Sequence, residues 1–131
     1  MSDKQTATLL VRARSLAARG EDDAAKAAYL DVLRRDQTHF AALNELAALA
    51  YAGGHRSAAR TAYEQAVRCH PDNPIGRVNL GNLLYDDQDF AGARAQYDAA
   101  LAADAELAEA HQGLARVLTE LGETAAAGLH W

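Results

Sequence analysis

The chain has 131 residues, of which 50% are hydrophobic, with 13 lysines and arginines against 18 aspartates and glutamates. This length suits one domain, a single cysteine excludes a scaffold of internal disulfides, and a net charge of −5 argues against a nucleic-acid partner. No apolar run approaches the roughly 18 residues of a membrane span and the first residues lack the apolar core of a signal peptide, so we expect a cytoplasmic protein without a membrane partner.

Alanine, the best helix former, supplies 32 residues, which predicts an all-α fold. Apolar residues recur at three- and four-residue spacing in eight segments, and short turns separate these segments. The predicted helices cover residues 6–19, 23–35, 40–52, 56–69, 74–86, 90–103, 108–121 and 124–131.

The residues between the predicted fourth and fifth helices are typical of a helix end followed by a helix start. Pro71 stops the fourth helix, because proline cannot continue a hydrogen-bonded helix. Asn73 is a predicted N-cap, and Pro74 suits the first helical position, where no amide partner is lost.

A 34-residue period organises the whole chain. An aromatic residue recurs at Tyr29, Tyr63, Tyr97 and Trp131. Turn glycines recur at Gly20, Gly54 and Gly122, and Gln88 replaces the glycine of the third copy. We therefore predict a single domain over residues 1–131, with complete repeats at 6–39, 40–73 and 74–107 and a partial repeat at 108–131.

Each repeat is predicted to be a pair of antiparallel helices. Small residues stand where the two helices of a pair would cross closely: Ala13, Ala25, Ala47, Ala59, Gly81 and Ala93. The large residue of the second helix (Tyr29, Tyr63, Tyr97) would fill the space toward the next pair, so that stability arises from stacking.

The third repeat carries a strong family resemblance. Its stretch from Asn79 to Tyr85, followed by Phe90, Ala93 and Tyr97, is similar to the tetratricopeptide repeat. The resemblance extends over residues 6–131. Asp22 departs from the pattern, because the family prefers an aromatic residue there.

This resemblance implies a right-handed α-solenoid whose concave groove, lined by the first helix of each repeat, binds a protein or an extended peptide. Asparagine amides in such a groove could bind a peptide backbone, and Tyr51 and Tyr85, one repeat apart, could form a shelf for side chains. The positions that match the groove are Arg14, Asn44, Glu45, Tyr51, Asn79, Asn82, Tyr85, Asp86, Gln112, Arg116 and Glu120.

The charges are unevenly distributed along the repeats. Residues 74–107 carry 2 basic and 6 acidic side chains, and residues 108–131 carry 1 and 3. This acidity favours a partner that is basic where it meets the second half of the chain. A clamp for a C-terminal carboxylate, as in chaperone adaptors, is disfavoured, since Arg14 is the one suitable cation and Glu45 would repel a carboxylate.

No catalytic constellation is apparent, so we predict a protein that is not an enzyme and uses no cofactor. The five histidines show no metal-ligand spacing with each other or with Cys69. Gly53-Gly54 lacks the lysine of a phosphate loop, and Asp86-Asp87-Gln88-Asp89 lacks the later ligands of a calcium loop.

Two alternatives remain open. The chain could be the N-terminal, substrate-recruiting part of a longer enzyme, such as an O-GlcNAc-transferase-like glycosyltransferase. It could also be a structural module that forms a homodimer through its C-terminal end, because the fourth repeat stops at Trp131 without a polar capping helix.

Overall fold

A computed structural model describes residues 2–122, with side chains from Lys4 onward, and all regular structure in this range is α-helical. The predicted helix at 124–131 lies outside the described residues. The chain divides into two compact units, Met1–Cys69 and His70–Trp131, hereafter unit 1 and unit 2. Each unit has its own core and is described by itself.

Seven helices are described, and their order confirms the paired pattern predicted from the sequence. Unit 1 contains α1 (Ser2–Ala18), α2 (Asp22–Arg35), α3 (Phe40–Ala52) and α4 (Arg56–Cys69). Unit 2 contains α5 (Pro74–Asp86), α6 (Phe90–Ala103) and α7 (Ala108–Glu120). None of these seven has the length and apolarity to cross a lipid bilayer.

The bounds agree with the sequence prediction within one residue, except at the start of α1. That helix begins at Ser2 rather than at residue 6. The apolar periodicity begins only with the second turn, but no glycine or proline interrupts the polar residues before it, so they continue the helix.

The turn that follows each of α1, α3, α5 and α7 contains a residue in the left-handed region. Gly20, Gly54 and Gly122 have φ of +77°, +83° and +76°, and Gln88 has φ of +66°. After α5, the Gln88 amide donates to the Tyr85 carbonyl at 2.9 Å and the Asp89 amide donates to the Leu84 carbonyl at 2.9 Å. This is the Schellman arrangement, which satisfies the last carbonyls of a helix and lets the next helix return along it.

The predicted cap at Asn73 forms, and Asp89 caps α6 in a similar way. The Asn73 side chain accepts a hydrogen bond from the Ile75 amide at 2.9 Å, with Pro74 in the first turn of α5. Asp89 accepts from the Gly92 amide at 3.0 Å and so begins α6. Both side chains satisfy amides that the first turn of a helix leaves without a backbone partner.

The core of unit 1 lies where α1, α2 and α3 meet. Ala13 and Ala25 are fully buried at the crossing of the first pair, and Val32 is fully buried beside them. The ring of Tyr29 is 3% exposed and belongs to the same core. The small residues therefore do what the sequence predicted: they let the paired helices approach closely enough to enclose a large side chain.

The core of unit 2 is built around Tyr97 of α6, which is fully buried. A Cβ added at Gly81 of α5 would lie 2.8 Å from the Tyr97 ring, and one added at Gly113 of α7 would lie 2.3 Å from it. The ring therefore packs against bare backbone on two helices. This confirms that the recurring tyrosine fills the space toward the next pair.

Candidate functional site

All eleven residues predicted for the groove lie on the first helix of a pair. Four of them form the first-helix surface of unit 1: Arg14, Asn44, Glu45 and Tyr51. Seven form the first-helix surface of unit 2: Asn79, Asn82, Tyr85, Asp86, Gln112, Arg116 and Glu120. The structure joins several members within each unit by direct contacts.

In unit 1 an ion pair joins α1 to α3. The Arg14 Nε donates to Glu45 Oε1 at 2.8 Å and its Nη2 donates to Glu45 Oε2 at 2.6 Å, which is a bidentate geometry. The hydroxyl of Tyr29, from α2, donates to the same Oε1 at 3.1 Å. Two of the predicted groove residues are therefore bound to each other, and the charge of Arg14 is neutralised by its neighbour.

The protonation of this group follows from its contacts. Burial raises the pKa of Tyr29 to about 12, and the negative charge of Glu45 acts in the same direction because it disfavours a second anion. The hydrogen bonds to Glu45 raise the pKa of Arg14 above its ordinary value. At neutral pH the site therefore holds a charged arginine and an un-ionised phenol.

Tyr51, at the end of α3, is half-buried, and the guanidinium of Arg56 lies 5.5 Å from the centre of its ring. Arg56 begins α4, so the cation covers the ring from the next helix. Asn44 is half-buried on α3 and takes part in interactions there.

In unit 2 Tyr85 is the centre of the surface. Its ring lies edge-on to Phe90, with centroids 5.5 Å apart and an interplanar angle of 64°. The Arg116 guanidinium of α7 lies 4.9 Å from the centre of the Tyr85 ring. The Tyr85 hydroxyl donates to Glu120 Oε1 at 3.4 Å, so this half-buried ring links α5 to α6 and α7.

Asn82 is placed by the buried tyrosine beneath it. The Tyr97 hydroxyl donates to Asn82 Oδ1 at 2.5 Å, which occupies the amide oxygen and leaves the amide nitrogen as a donor. Burial raises the pKa of Tyr97, and the positive charge of Arg116 partly opposes the rise. Arg116 thus reaches both tyrosines of the unit.

The remaining predicted residues differ in exposure. Asp86, Gln112, Arg116 and Glu120 are exposed, while Asn79 is half-buried and takes part in interactions. Asp86 lies close enough to Tyr97 to disfavour its ionisation. The surface therefore presents amides, a ring and both signs of charge.

The sequence prediction missed the tyrosine hydroxyls. Tyr29 and Tyr97 were assigned to packing alone, yet their hydroxyls fix Glu45 and Asn82. A signal was present, because a recurring tyrosine at a buried position needs a partner for its hydroxyl, whereas phenylalanine would fill the same space without one.

The two units differ strongly in charge. Residues 1–69 carry 10 basic and 8 acidic side chains, a formal charge of +2, whereas residues 70–131 carry 3 and 10, a formal charge of −7. In unit 2 the side chains of Arg94 and Asp98 approach to 3.8 Å, and three basic side chains can pair with only a minority of the ten acidic ones. Its acidity is thus largely uncompensated.

The described part of the chain shows no cluster of metal-binding side chains. Within residues 2–122, no group of three or more His, Cys, Asp or Glu side chains could hold a metal ion. Cys69 is half-buried and unoxidised at the end of α4. No buried side-chain nitrogen or oxygen in the same range lacks a hydrogen-bond partner.

Comparison with known families decides the classification. The model of the tetratricopeptide repeat family matches residues 10–74 and 78–131. The chain belongs to the tetratricopeptide repeat family. A search of curated protein sequences gives no significant match.

Several solved tetratricopeptide structures share the fold. The Sgt2 domain from Aspergillus fumigatus is 22% identical, with a TM-score of 0.82 over 93% of this chain and 82% of that one. The first such domain of Spaghetti (RPAP3), bound to an HSP90 peptide, is 16% identical, with a TM-score of 0.83 over 91% and 94%. The Yersinia enterocolitica chaperone SycD, in complex with a peptide of the translocator YopD, is 15% identical, with a TM-score of 0.79 over 89% and 95%.

Proposed function

We propose that this tetratricopeptide protein is a non-catalytic binding module that takes an extended, basic peptide segment on the first-helix surface of unit 2. The observation that carries the proposal is the half-buried Tyr85 ring, held between Phe90 and Arg116 with Glu120 on its hydroxyl. Solved relatives of the same fold hold peptides of HSP90 and YopD, which supports a peptide as the class of ligand.

The amides of this surface suit a peptide backbone. Gln112 is exposed, and the amide nitrogen of Asn82 remains a donor after Tyr97 has occupied its oxygen. Primary amides both donate and accept, so they can bind main-chain groups without demanding one side chain. A pre-positioned aromatic ring beside them adds apolar contact area at little entropic cost.

The charges favour a basic ligand. Unit 2 has a formal charge of −7, Glu120 accepts a hydrogen bond from the Tyr85 hydroxyl, and Asp86 is an exposed carboxylate next to Tyr85 in the sequence. Unit 1 offers little to a carboxylate, because Glu45 already neutralises Arg14. A ligand that ends in a carboxylate is therefore disfavoured on the first-helix surface of unit 1.

The test begins with a peptide display library and measures selected peptides by calorimetry. We expect lysine- or arginine-rich peptides whose affinity falls about three- to tenfold with Asp86→Asn or Glu120→Gln and falls further with added salt. Asp98→Asn is the matched control, since it removes one exposed carboxylate of the same unit from the second helix α6. Peptides that bind equally to all three variants would place the ligand elsewhere and reject the proposal.

The alternatives of an enzyme-recruiting domain and of a self-associating module stay predictions. The gene sequence beyond Trp131 tests the first, and sedimentation over a dilution series tests the second. A stop codon directly after Trp131 would contradict the first, and a persistent monomer would contradict the second.

A further inference from the structure

Unit 1 contains a pocket of about 260 Å³ that none of the eleven predicted groove residues lines. It lies where α2, α3 and α4 meet. The lining residues are Asp22, Asp23 and Lys26 from α2, Leu46, Leu49 and Ala50 from α3, Gly53 and His55 from the turn between α3 and α4, and Ala58 and Ala62 from α4.

The walls of this pocket are apolar. Leu46 and Leu49 are half-buried, and both pack onto the unit 1 core. Ala62 is half-buried opposite them on α4, and Ala58 is exposed one turn earlier. An apolar group bound here would be removed from water and would contact aliphatic side chains of two helices.

Small and polar side chains border this space. Asp22, Arg56 and Phe90 occupy the same position in successive repeats, 34 residues apart. The third repeat has a half-buried ring at this position, whereas Asp22 is an exposed carboxylate at the edge of the pocket. On the α4 side, the short side chains of Ala58 and Ala62 leave the space open. The volume is below the roughly 300 Å³ of drug-sized sites and suits a single large side chain.

The charge beside the pocket is negative. Asp22 and Asp23 are exposed in the first turn of α2, and Lys26 and His55 are the basic residues of the lining. Neither aspartate makes an ion pair with a described residue in the structure. An apolar group that carries a positive charge at its edge therefore complements both the walls and the mouth.

We propose that this pocket binds an aromatic side chain flanked by a cationic group, that is, a phenylalanine, tyrosine or tryptophan next to a lysine or arginine of a partner protein. The ring lies against Leu46, Leu49 and Ala62, and the cation lies beside Asp22 and Asp23. The site is separate from the first-helix surface of unit 2, and so is its test.

Phenethylamine and phenylacetate are the probes, because they carry similar rings and opposite charges. Titration followed by NMR of isotopically labelled protein should show saturable shifts at Leu46, Leu49 and Ala58 with phenethylamine, at a Kd of about 1 mM, as expected for a fragment of this size. Phenylacetate should bind at least fivefold more weakly.

Four variants separate the contribution of the ring from that of the charge. Ala62→Leu fills the pocket without changing charge and should abolish the shifts, whereas Ala27→Leu makes the same change at an exposed position of α2 outside the lining and should not. Asp22→Asn should retain ring binding and reduce the preference for the amine. Asp86→Asn, in unit 2, should change nothing here.

The proposal is overturned if neither probe gives saturable shifts at these residues, if both probes bind equally to the unaltered chain, or if the binding survives Ala62→Leu. If Ala62→Leu does not fold, the comparison of both probes on Asp22→Asn and on the unaltered chain still decides the result. An unchanged preference for the amine in Asp22→Asn would then reject the assigned charge.

Discussion

Gln88 adopts a backbone conformation that the three equivalent turns give to glycine. Its φ of +66° is the one positive value at a non-glycine residue among residues 2–122. A side chain in this region is strained by contact between Cβ and its own backbone. We expect Gln88→Gly to raise the free energy of unfolding by about 0.5–1 kcal/mol, less than the full strain because glycine is also freer in the unfolded chain. Urea unfolding followed by circular dichroism measures the change.

The reverse exchange is the matched control. Gly54 has φ of +83°, and no atom lies within 4 Å of a Cβ added there. Gly54→Gln should therefore lower stability through backbone strain alone, by a similar amount. A loss of stability in Gln88→Gly would show that the Gln88 side chain makes a contribution larger than its strain.

The buried Tyr97 ring packs directly against Gly113, so a larger residue at position 113 would overlap with the ring. A Cβ at Gly113 would lie 2.3 Å from Cζ, against 2.8 Å from Cε1 for a Cβ at Gly81. We expect Gly113→Ala to destabilise by about 1–3 kcal/mol, more than Gly81→Ala, because the ring cannot move away from both helices. Thermal unfolding of the two variants ranks them.

Gly53→Ala is the control for that ranking. Its added Cβ would meet the flexible His55 side chain at 3.2 Å rather than a buried ring, so its effect should be smaller. Combining Gly113→Ala with Tyr97→Leu should cost less than the sum of the two changes, since the smaller side chain relieves the overlap. Additive costs would contradict the steric explanation.

Residue types alone predicted the packing and not the polar contacts. The buried tyrosines and the small residues of the pairs followed from a strict 34-residue period. The hydrogen-bond partner of each hydroxyl did not follow, because it depends on which residue the neighbouring helix supplies. Glu45 accepts the hydrogen bond of Tyr29, but the equivalent residue for Tyr97 is Gly113, which has no side chain, and Tyr97 donates to Asn82 instead. Repetition fixes where a ring lies, and variation between repeats fixes what its hydroxyl binds.

At the scale of elements, the contact among Arg14, Glu45 and Tyr29 joins α1, α3 and α2, and it should respond to pH. Folding raises the pKa of Tyr29 from 10.0 to about 12. The folded state thus favours the un-ionised phenol, so this contribution to stability is complete below pH 10 and is lost as the pH rises from 10 to 12. The loss is at most about 3 kcal/mol.

Urea unfolding between pH 9 and pH 12 tests this effect. Tyr29→Phe cannot ionise at this position, so its stability should fall less steeply than that of the unaltered chain. Glu45→Gln removes the carboxylate that opposes ionisation and should give an intermediate slope. If the free energy of unfolding falls equally steeply with pH in Tyr29→Phe and in the unaltered chain, Tyr29 does not have a higher pKa in the folded state than in the unfolded state.

The starts of α5 and α6 are marked by boundary signals in their own residues. Asn73 with Pro74 fixes the start of α5, and Asp89 fixes the start of α6. The pocket of unit 1 was not predictable in this way. Asp22 was recognised as a departure from the family, but the empty space beside it depends also on Ala58 and Ala62 of another helix.

At the scale of the whole molecule, the described chain has two cores rather than one. Val32 is fully buried in unit 1, and Leu83 is fully buried in unit 2. In repeat proteins stability is approximately a sum of local terms, so damage to one core need not spread over the whole chain. The length, which first suggested a single domain, therefore does not imply a single unfolding unit.

Native-state hydrogen exchange tests this division. Leu83→Ala should cost about 2–5 kcal/mol in unit 2, because it leaves a cavity at a fully buried position. Amide protection should fall in α5, α6 and α7 and remain nearly unchanged in α1 and α2. Val32→Ala is the reciprocal change and should lower protection in unit 1 first. Equal losses of protection in both units for either variant would mean that the two cores unfold together, and that stacking between repeats outweighs the stability of each unit.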